Sequence, residues 1–302
     1  MNGRMPLVTV GIPTYNREQL IERAVGSVLA QDYPNIEVII SDNCSTDSSA
    51  NICARLANAD SRVRFIQQAC NIGATRNFEA VLRGASGEFF MWLGDDDHLD
   101  QNYIRATLTP MLDDSSLALA SGEARYYRGD RLVDVGRCFD VLSSTWWGRV
   151  AEYYWKVSDN GMFYGLMRTS TLRRGRIENA MGGDWLLIAR AAASGKMVMS
   201  KQAIVHRELG GASQNHRHTA KALRLPRRHA LFPYVFIAVH AFRDIVFLPE
   251  AYPDHGPTAR RLAGTLAFGV LLVRAVTSSS AEWLVRLRDG LKRVPGSVKR
   301  RA

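Results

Sequence analysis

The sequence has few cysteines, no uninterrupted apolar run of membrane-spanning length, and no charge excess over its first 220 residues. The four cysteines, Cys44, Cys53, Cys70 and Cys138, form no CxxC pair and no Cys/His cluster at zinc spacing. A disulfide framework and a zinc finger are thereby excluded, and free thiols in a reducing compartment are expected. A spanning helix needs about 20 apolar residues. Leu231 to Leu248 is broken by His240, Arg243 and Asp244, and Leu262 to Val273 is too short. The opening Met1-Asn2-Gly3-Arg4-Met5-Pro6 lacks an apolar stretch with a cleavage site. No signal peptide is expected, and the start is cytosolic in character.

What charge there is sits at one end. Residues 1–220 hold 24 Lys+Arg and 24 Asp+Glu, whereas residues 221–302 hold 15 and 5, so the whole net charge of +10 belongs to the C-terminal quarter. Such asymmetry points to an anionic partner for that segment, membrane phosphate or nucleic acid. The rest is neutral and the tail carries no recognised nucleic-acid motif, so nucleic acid is not expected.

The 302 residues, 46% hydrophobic and 23% charged, have globular composition. Short apolar, β-branched runs at Leu7–Ile12, Glu37–Ile40, Val63–Ile66, Phe89–Leu93 and Leu117–Ala120 read as strands. Helical spacing lies between them at Glu18–Leu29, about Ser48–Ala57, Arg76–Ala85 and about Asn102–Leu112. Strands buried on both faces with helical crossovers predict an α/β domain with a mostly parallel central sheet. After Gly122 come a hairpin around Gly129-Asp130, an aromatic helix near Trp146–Trp155, a helix at Asp184–Ala193 and a last strand at Ala203–His206.

Ligands of such sheets sit beyond the carboxyl ends of the strands. The polar clusters fall there: Thr14-Tyr15-Asn16-Arg17 after the first strand, Asp42 after the second, Asp95-Asp96-Asp97 after the fourth. Adjacent carboxylates repel unless a cation neutralises them, and oxygen donors suit Mg2+ or Mn2+. A solvated loop that caps the next helix is the competing reading. Asp42 is either an Asx-turn acceptor or a carboxylate for a nucleobase or ribose, and its strand-end position favours the latter. Arg76 and Asn77 open a helix near the same edge. Asp184, at a helix start, reads on its own as a capping acid kept ionised by the helix dipole. His206 is a lone histidine whose imidazole suits a divalent metal.

Taken together, Val10 to Arg17, Ile39 to Asp47, Asn71-Ile72-Gly73 with Arg76-Asn77, Leu93 to Asp97 and Gly183-Asp184-Trp185 resemble the motifs of family 2 glycosyltransferases, over about Leu7 to Gln214. The resemblance implies the GT-A fold, Rossmann-like, and inverting transfer of a sugar from a nucleotide-sugar, with a uridine nucleotide preferred. It assigns donor binding to Pro13, Thr14, Tyr15, Asn16, Arg17, Asp42, Asn71, Gly73, Arg76, Asn77, Asp95 and Asp96. It assigns Mg2+ or Mn2+ to Asp95, Asp97 and His206, and the catalytic base to Asp184. Two residues depart from the pattern: Gly183 replaces the Glu of the usual Glu-Asp pair, and Gly94 stands where many members have an acid. No QxxRW motif follows Gln214, which implies single-sugar transfer.

The expected organisation is a nucleotide-sugar half at 1–122, an acceptor and catalytic-base half at 123–220, and a basic, amphipathic helical extension at 221–302. Apolar faces with interspersed Arg suit helices in a membrane interface, with Lys292-Arg293 and Lys299-Arg300-Arg301 adding attraction to anionic lipid. The competing picture is a helical cap packed on the domain or at a homodimer interface. A glycan or polyprenyl-linked acceptor, and a peripheral place on the inner face of the cytoplasmic membrane, follow from the first picture. The competing function is a sugar-nucleotide or glycan-binding protein without catalysis, motivated by Gly183.

Overall fold

The computed structural model describes residues 5–159, 161–209 and 216–291, the last as backbone alone beyond 277. Gln214, the pair Gly210-Gly211 and the basic clusters from Lys292 onward lie outside the described residues.

The chain enters through β1 (Val8–Thr14), α1 (Ile21–Leu29), β2 (Ile36–Asp42), α2 (Ser49–Ala59), β3 (Val63–Gln67), α3 (Ala74–Gly84) and β4 (Phe89–Trp92). Every residue of β1, β2 and β4 is buried, as continuous apolar strands covered on both faces require. These four strands pair in parallel in the order β3-β2-β1-β4. Their register sets Thr14 beside Asp42 and Asp42 beside Gln67, so the polar residues after each strand emerge on one edge.

Then follow β5 (His98–Leu99), α4 (Tyr103–Asp113), β6 (Leu117–Arg128), β7 (Arg131–Val135), α5 (Trp146–Lys156), β8 (Leu166–Arg168), α6 (Thr169–Leu172), α7 (Gly183–Ser194) and β9 (Lys196–Glu208). The nine-stranded sheet continues β4-β8-β6-β9-β5, with β7 hairpinned onto β6. β6 and β9 run parallel, while β8, β5 and β7 are antiparallel to their neighbours, so the sheet is mixed but mostly parallel. β6 crosses position 122 unbroken, so one sheet runs through both expected halves. β5 and β8, of two and three residues, are too short to show a period-2 signal.

Two apolar layers sandwich the sheet. One joins β1, β2 and β4 to α1 and α4 through Val10, Ile12, Val25, Ile40 and Tyr103. The other joins the opposite face to α3, α5 and α7 through Val81, Trp92, Tyr154 and Leu187.

The C-terminal region folds as α8 (His216–Ala222), α9 (Arg227–Leu231), α10 (Pro233–Phe247) and α11 (Pro257–Leu291). Ile237, Ala238, Ala241 and Ile245 of α10, with Ala263, Ala267 and Leu271 of α11, belong to the second apolar layer. Arg190 of α7 and Asp244 of α10 form a buried, two-pronged ion pair, and the Tyr252 hydroxyl donates to the same carboxylate at 2.8 Å. On their outer faces Phe232, Phe247, Leu262, Val273 and Val276 are exposed. The expected extension is therefore packed on the domain by one face and open on the other. Among the described residues no helix is long and apolar enough to cross a membrane.

Candidate active site

The turn after β1 is built by side chains from the segment after β2. Asn16 has a positive φ of 53°, a conformation asparagine tolerates better than most residues. Its backbone N–H donates to Ser45 Oγ at 2.9 Å, and its Oδ1 accepts from the Thr46 N–H at 2.8 Å. The Arg17 N–H donates to Ser49 Oγ at 2.7 Å. The Glu18 N–H donates to Asp47, and the Glu18 carboxylate accepts from the Ser48 N–H. Asp42 is fully buried, and its carboxylate accepts from the Ser45 N–H at 3.0 Å and from the Ser45 hydroxyl. The Asx-turn reading of Asp42 is thus realised; a nucleobase would have to share or displace these bonds.

Asn77, an expected donor contact, is 3% exposed and acts as a knot. Its Nδ2 donates to Ser41 O at 2.9 Å and to Thr14 O at 3.4 Å, and its Oδ1 accepts from Ser41 Oγ at 2.6 Å. It ties α3 to the ends of β1 and β2 from inside, and has no free face for a ligand. Asn71 holds the loop, accepting from Asn43 Nδ2 at 3.2 Å and from the Gly73 N–H at 3.0 Å. Arg76 is exposed and lines a cleft of about 440 Å³ between the start of α3 and residues 176–179 and 222–224. Pro13 and Thr14 are buried in β1, and Tyr15 stands 42% exposed.

Asp95 meets this turn directly. Its carboxylate accepts from the Tyr15 N–H at 3.2 Å and lies 3.4 Å from Arg17 Nε. Burial pushes the Asp95 carboxyl up to about 7, Asp96 adds to the rise, and Arg17 opposes it. A carboxylate so placed stays ionised more readily beside a cation. Asp96 is the more open of the pair; its carboxylate is 4.0 Å from Arg17, and its backbone carbonyl accepts from Arg23 at 2.7 Å.

Asp97 turns the other way. It is 1% exposed, and its carboxylate accepts from Arg207 Nε at 3.2 Å and from the Glu208 N–H at 3.1 Å. Burial raises its carboxyl above the usual range, and the guanidinium pulls against that rise. Arg207 is itself buried, 4.3 Å over the Tyr164 ring and bonded to the Tyr164 hydroxyl at 3.0 Å. His206, expected with Asp97 at a metal, has its two ring nitrogens engaged elsewhere. It bonds Asp100 at 2.8 Å and the Tyr127 hydroxyl at 3.1 Å, and stacks on His98 at 4.5 Å. Alternation along β9 sends neighbours to opposite faces, so Arg207 meets Asp97 while His206 faces away. A signal for this lies in the sequence: Arg207 is in phase with the buried Ala203 and Val205.

Among the described residues no three His, Cys, Asp or Glu side chains converge as a ligand set. Asp95 and Asp96 nevertheless fit Mg2+ or Mn2+ in chemistry: hard oxygen donors, close together, with one carboxyl held up by burial. Such ions commonly take one or two carboxylates and complete their shell with substrate phosphates and water.

Both departures from the expected motifs have a steric cause. A Cβ on Gly94 would come 2.6 Å from Asp97 Oδ2, and that carboxylate is pinned by Arg207. A Cβ on Gly183 would come 2.3 Å from the backbone carbonyl of Glu178. No Glu can stand there in this backbone, and Asp184 follows as the only acid in the first turn of α7. Asp184 is half-buried, and its charge acts on the Tyr153 hydroxyl. The segment leading into α7 is joined to α3 through Thr75 Oγ1, which donates to Asn179 Oδ1 at 3.0 Å, and through the Ile177 N–H, which donates to Glu79 at 2.9 Å.

The family model described as Glycosyl transferase family 2 matches residues 9–173, more than half of the chain. The chain belongs to that family. It is 38% identical over 96 residues to the GalNAc(5)-diNAcBac-PP-undecaprenol beta-1,3-glucosyltransferase of Campylobacter jejuni, covering 32% of this chain and 31% of that protein. It is 28% identical over 176 residues to the glycosyltransferase GlyA of Streptococcus pneumoniae, covering 58% and 24%. The chain thus spans less than a third of the length of either. In fold it is similar to TarS 1–349 of S. aureus, with a TM-score of 0.56 and 15% identity over 91% of both chains. It is also similar to the mannosyltransferase PcManGT of Pyrobaculum calidifontis, solved with GDP-Man and Mn2+, with a TM-score of 0.53 and 17% identity over 96% of this chain and 81% of that one. The fold is that of the GT-A glycosyltransferases.

Proposed function

We propose that this protein is a metal-dependent, inverting glycosyltransferase that moves one sugar from a nucleotide-sugar to a hydroxyl of a glycan or lipid-linked acceptor in bacterial surface polysaccharide synthesis. The observation that carries the reading is the meeting of Tyr15, Arg17, Asp95 and Asp96 at the carboxyl ends of β1 and β4, with Asp42 and Ser45 alongside. A diphosphate fits there: Arg17 offers a cation and the aspartates a place for Mg2+ or Mn2+. Such an ion, when bound, would stabilise charge on the leaving diphosphate. Asp184 is the base in this reading, taking the proton from the acceptor hydroxyl. A TarS structure contains UDP-GlcNAc, which supports a UDP-sugar as donor. The undecaprenol-linked substrate in the name of the Campylobacter relative supports a polyprenyl-linked acceptor.

A peripheral position at an anionic membrane surface fits the same reading. Leu262 and Val276 lie exposed on α11, which carries Arg260 and Arg261, and Phe232 lies exposed just after α9, which carries Arg227 and Arg228. Because α10 and α11 complete the core, flotation with liposomes should be tested by Phe232→Ser and Leu262→Ser rather than by truncation.

The test of function is donor hydrolysis and transfer across UDP-, GDP- and dTDP-sugars with Mn2+. Asp184→Asn should lose transfer and keep nucleotide binding; unchanged turnover would sink the assignment of the base.

A further inference from the structure

Against the first turn of α7 the helical layer holds a cation with no acidic partner among the described residues. Arg274 of α11 reaches under α7 and α10, and its guanidinium lies 5.6 Å from the Trp185 ring centre and 5.6 Å from that of Tyr234. The two rings are 6.1 Å apart. One of its N–H groups donates to Tyr154 O at 2.7 Å, in the last turn of α5, where helix carbonyls lack partners of their own. No carboxylate forms an ion pair with it among the described residues. Among the described residues the charged side chain in Coulombic reach is another cation, Arg137, and burial lowers the guanidinium's affinity for its proton.

Arg190 behaves differently. That arginine is buried in the same layer and is matched in full, with Asp244 bound by both prongs and Tyr252 behind it. A buried or half-buried guanidinium without a counter-charge is costly unless something supplies one. Arg274 stays half-buried, as do Trp185 and Tyr234, so each keeps a face open to solvent. The place is set by the chemistry next door. Trp185 follows Asp184 in the chain, and the Tyr153 hydroxyl senses both the Asp184 and the Arg274 charge.

We propose that Arg274 binds a phosphate or diphosphate group on the acceptor, with Arg137 adding positive potential, while Trp185 and Tyr234 offer ring faces to the acceptor's sugar. The inference rests on the reading of Asp184 as the base. It makes the C-terminal helices part of the acceptor site, and it selects phosphate-bearing acceptors over neutral ones. A guanidinium matches phosphate oxygens in a planar fork, and aromatic rings beside it suit the apolar face of a sugar.

The test is binding rather than turnover, so that it stands apart from the assignment of the base. Phenyl phosphate is titrated into the full chain by calorimetry, with phenol as the neutral control. The wild type should bind the phosphate and not phenol. Arg274→Gln should weaken binding at least tenfold, Arg274→Lys should recover part of it, and the exposed Arg137→Gln should weaken it should the Arg274 variant fold poorly. Asp184→Asn should bind as well as the wild type or better, whether or not it transfers sugar. Flotation with phosphatidylcholine vesicles, with and without phosphatidic acid, separates a lipid phosphate from a soluble one: an Arg274 effect confined to vesicles assigns the group to lipid. Equal phenyl phosphate and vesicle binding in folded Arg274→Gln overturns the proposal, as does a loss that appears only in Arg17→Gln, which would place the phosphate at the donor site.

Discussion

Removing either partner of the Asp97–Arg207 pair should destabilise the protein, but with different pH dependence. Asp97→Ala takes from a buried guanidinium, packed on Tyr164 and 5.4 Å from Tyr126, the carboxylate it pairs with, and strips the Glu208 N–H of its acceptor. Breaking a buried pair in this way costs roughly 3–5 kcal/mol. At the roughly 2–4 °C per kcal/mol ordinary for large domains, the melting temperature should fall by about 10 °C. Arg207→Met leaves the acid instead, and an acid can neutralise itself. With Asp97 already raised by burial, it takes a proton at pH 5, and only the lost hydrogen bonds remain, roughly 1–3 kcal/mol. The folded state then holds a proton that the unfolded chain releases near pH 4. Stability must therefore fall as pH rises above 4, by up to about 1.4 kcal/mol per unit, until the folded carboxyl ionises. The double variant Asp97→Leu with Arg207→Met should regain most of the loss. Thermal melts followed by circular dichroism from pH 5 to 8 measure both effects. A flat profile for Arg207→Met, or a double variant as unstable as the sum of the singles, would refute the argument. Mn2+ binding to the double variant, followed by electron paramagnetic resonance, separates two roles: retained binding makes Asp97 an anchor, and lost binding makes it a ligand.

Three other perturbations have defined outcomes. The raised Asp95 carboxyl, at about 7, should make Mn2+ affinity in the wild type climb with pH to about that value and then level off, whereas Asp95→Asn should bind weakly at every pH; calorimetry in the absence of donor reads this directly. Asp244→Ala should cost roughly 3–5 kcal/mol by stranding Arg190, visible as a lower melting temperature, while Arg190→Met with Asp244→Leu should recover most of it. Gly183→Glu, which restores the acid usual at that position, should lower both stability and transfer, because its Cβ would press within 2.3 Å of the Glu178 carbonyl; a gain in activity would show that the backbone there gives way freely.

The sheet is legible in the sequence because its strands are buried on both faces, and Val8–Ile12, Ile36–Ile40 and Phe89–Trp92 announce themselves as apolar runs between helical periods. The site's location is legible for the same reason, since polar residues gather where those runs stop. What each residue does is harder to read. Asn77 and Asp42 carry the composition of ligand contacts, yet their side chains are occupied by Ser41 and Ser45. The Asn77 bonds depend on which segments meet across more than 30 residues, which no local pattern reports. Imidazole chemistry favours His206 over Arg207 as a metal ligand, but strand phase, not side-chain chemistry, decides which neighbour faces the aspartates. The C-terminal helices read as an appendage because their hydrophobic faces look open in sequence; one face is closed in the apolar layer that also holds α5 and α7.

The Arg190–Asp244 bridge also bears on how such a protein can be recombined. A helical tail joined only by apolar contact could be exchanged between relatives as a cassette, since greasy surfaces tolerate approximate fits. Here the tail arrives with a buried negative charge that one position of the sheet domain answers. A chimera that imports a tail lacking an acid at 244 would leave Arg190 stranded, and one that exports this tail would bury Asp244 against a stranger. Grafts should therefore succeed only when positions 190 and 244 travel together, which makes that pair a compatibility lock between the sheet domain and its helical tail.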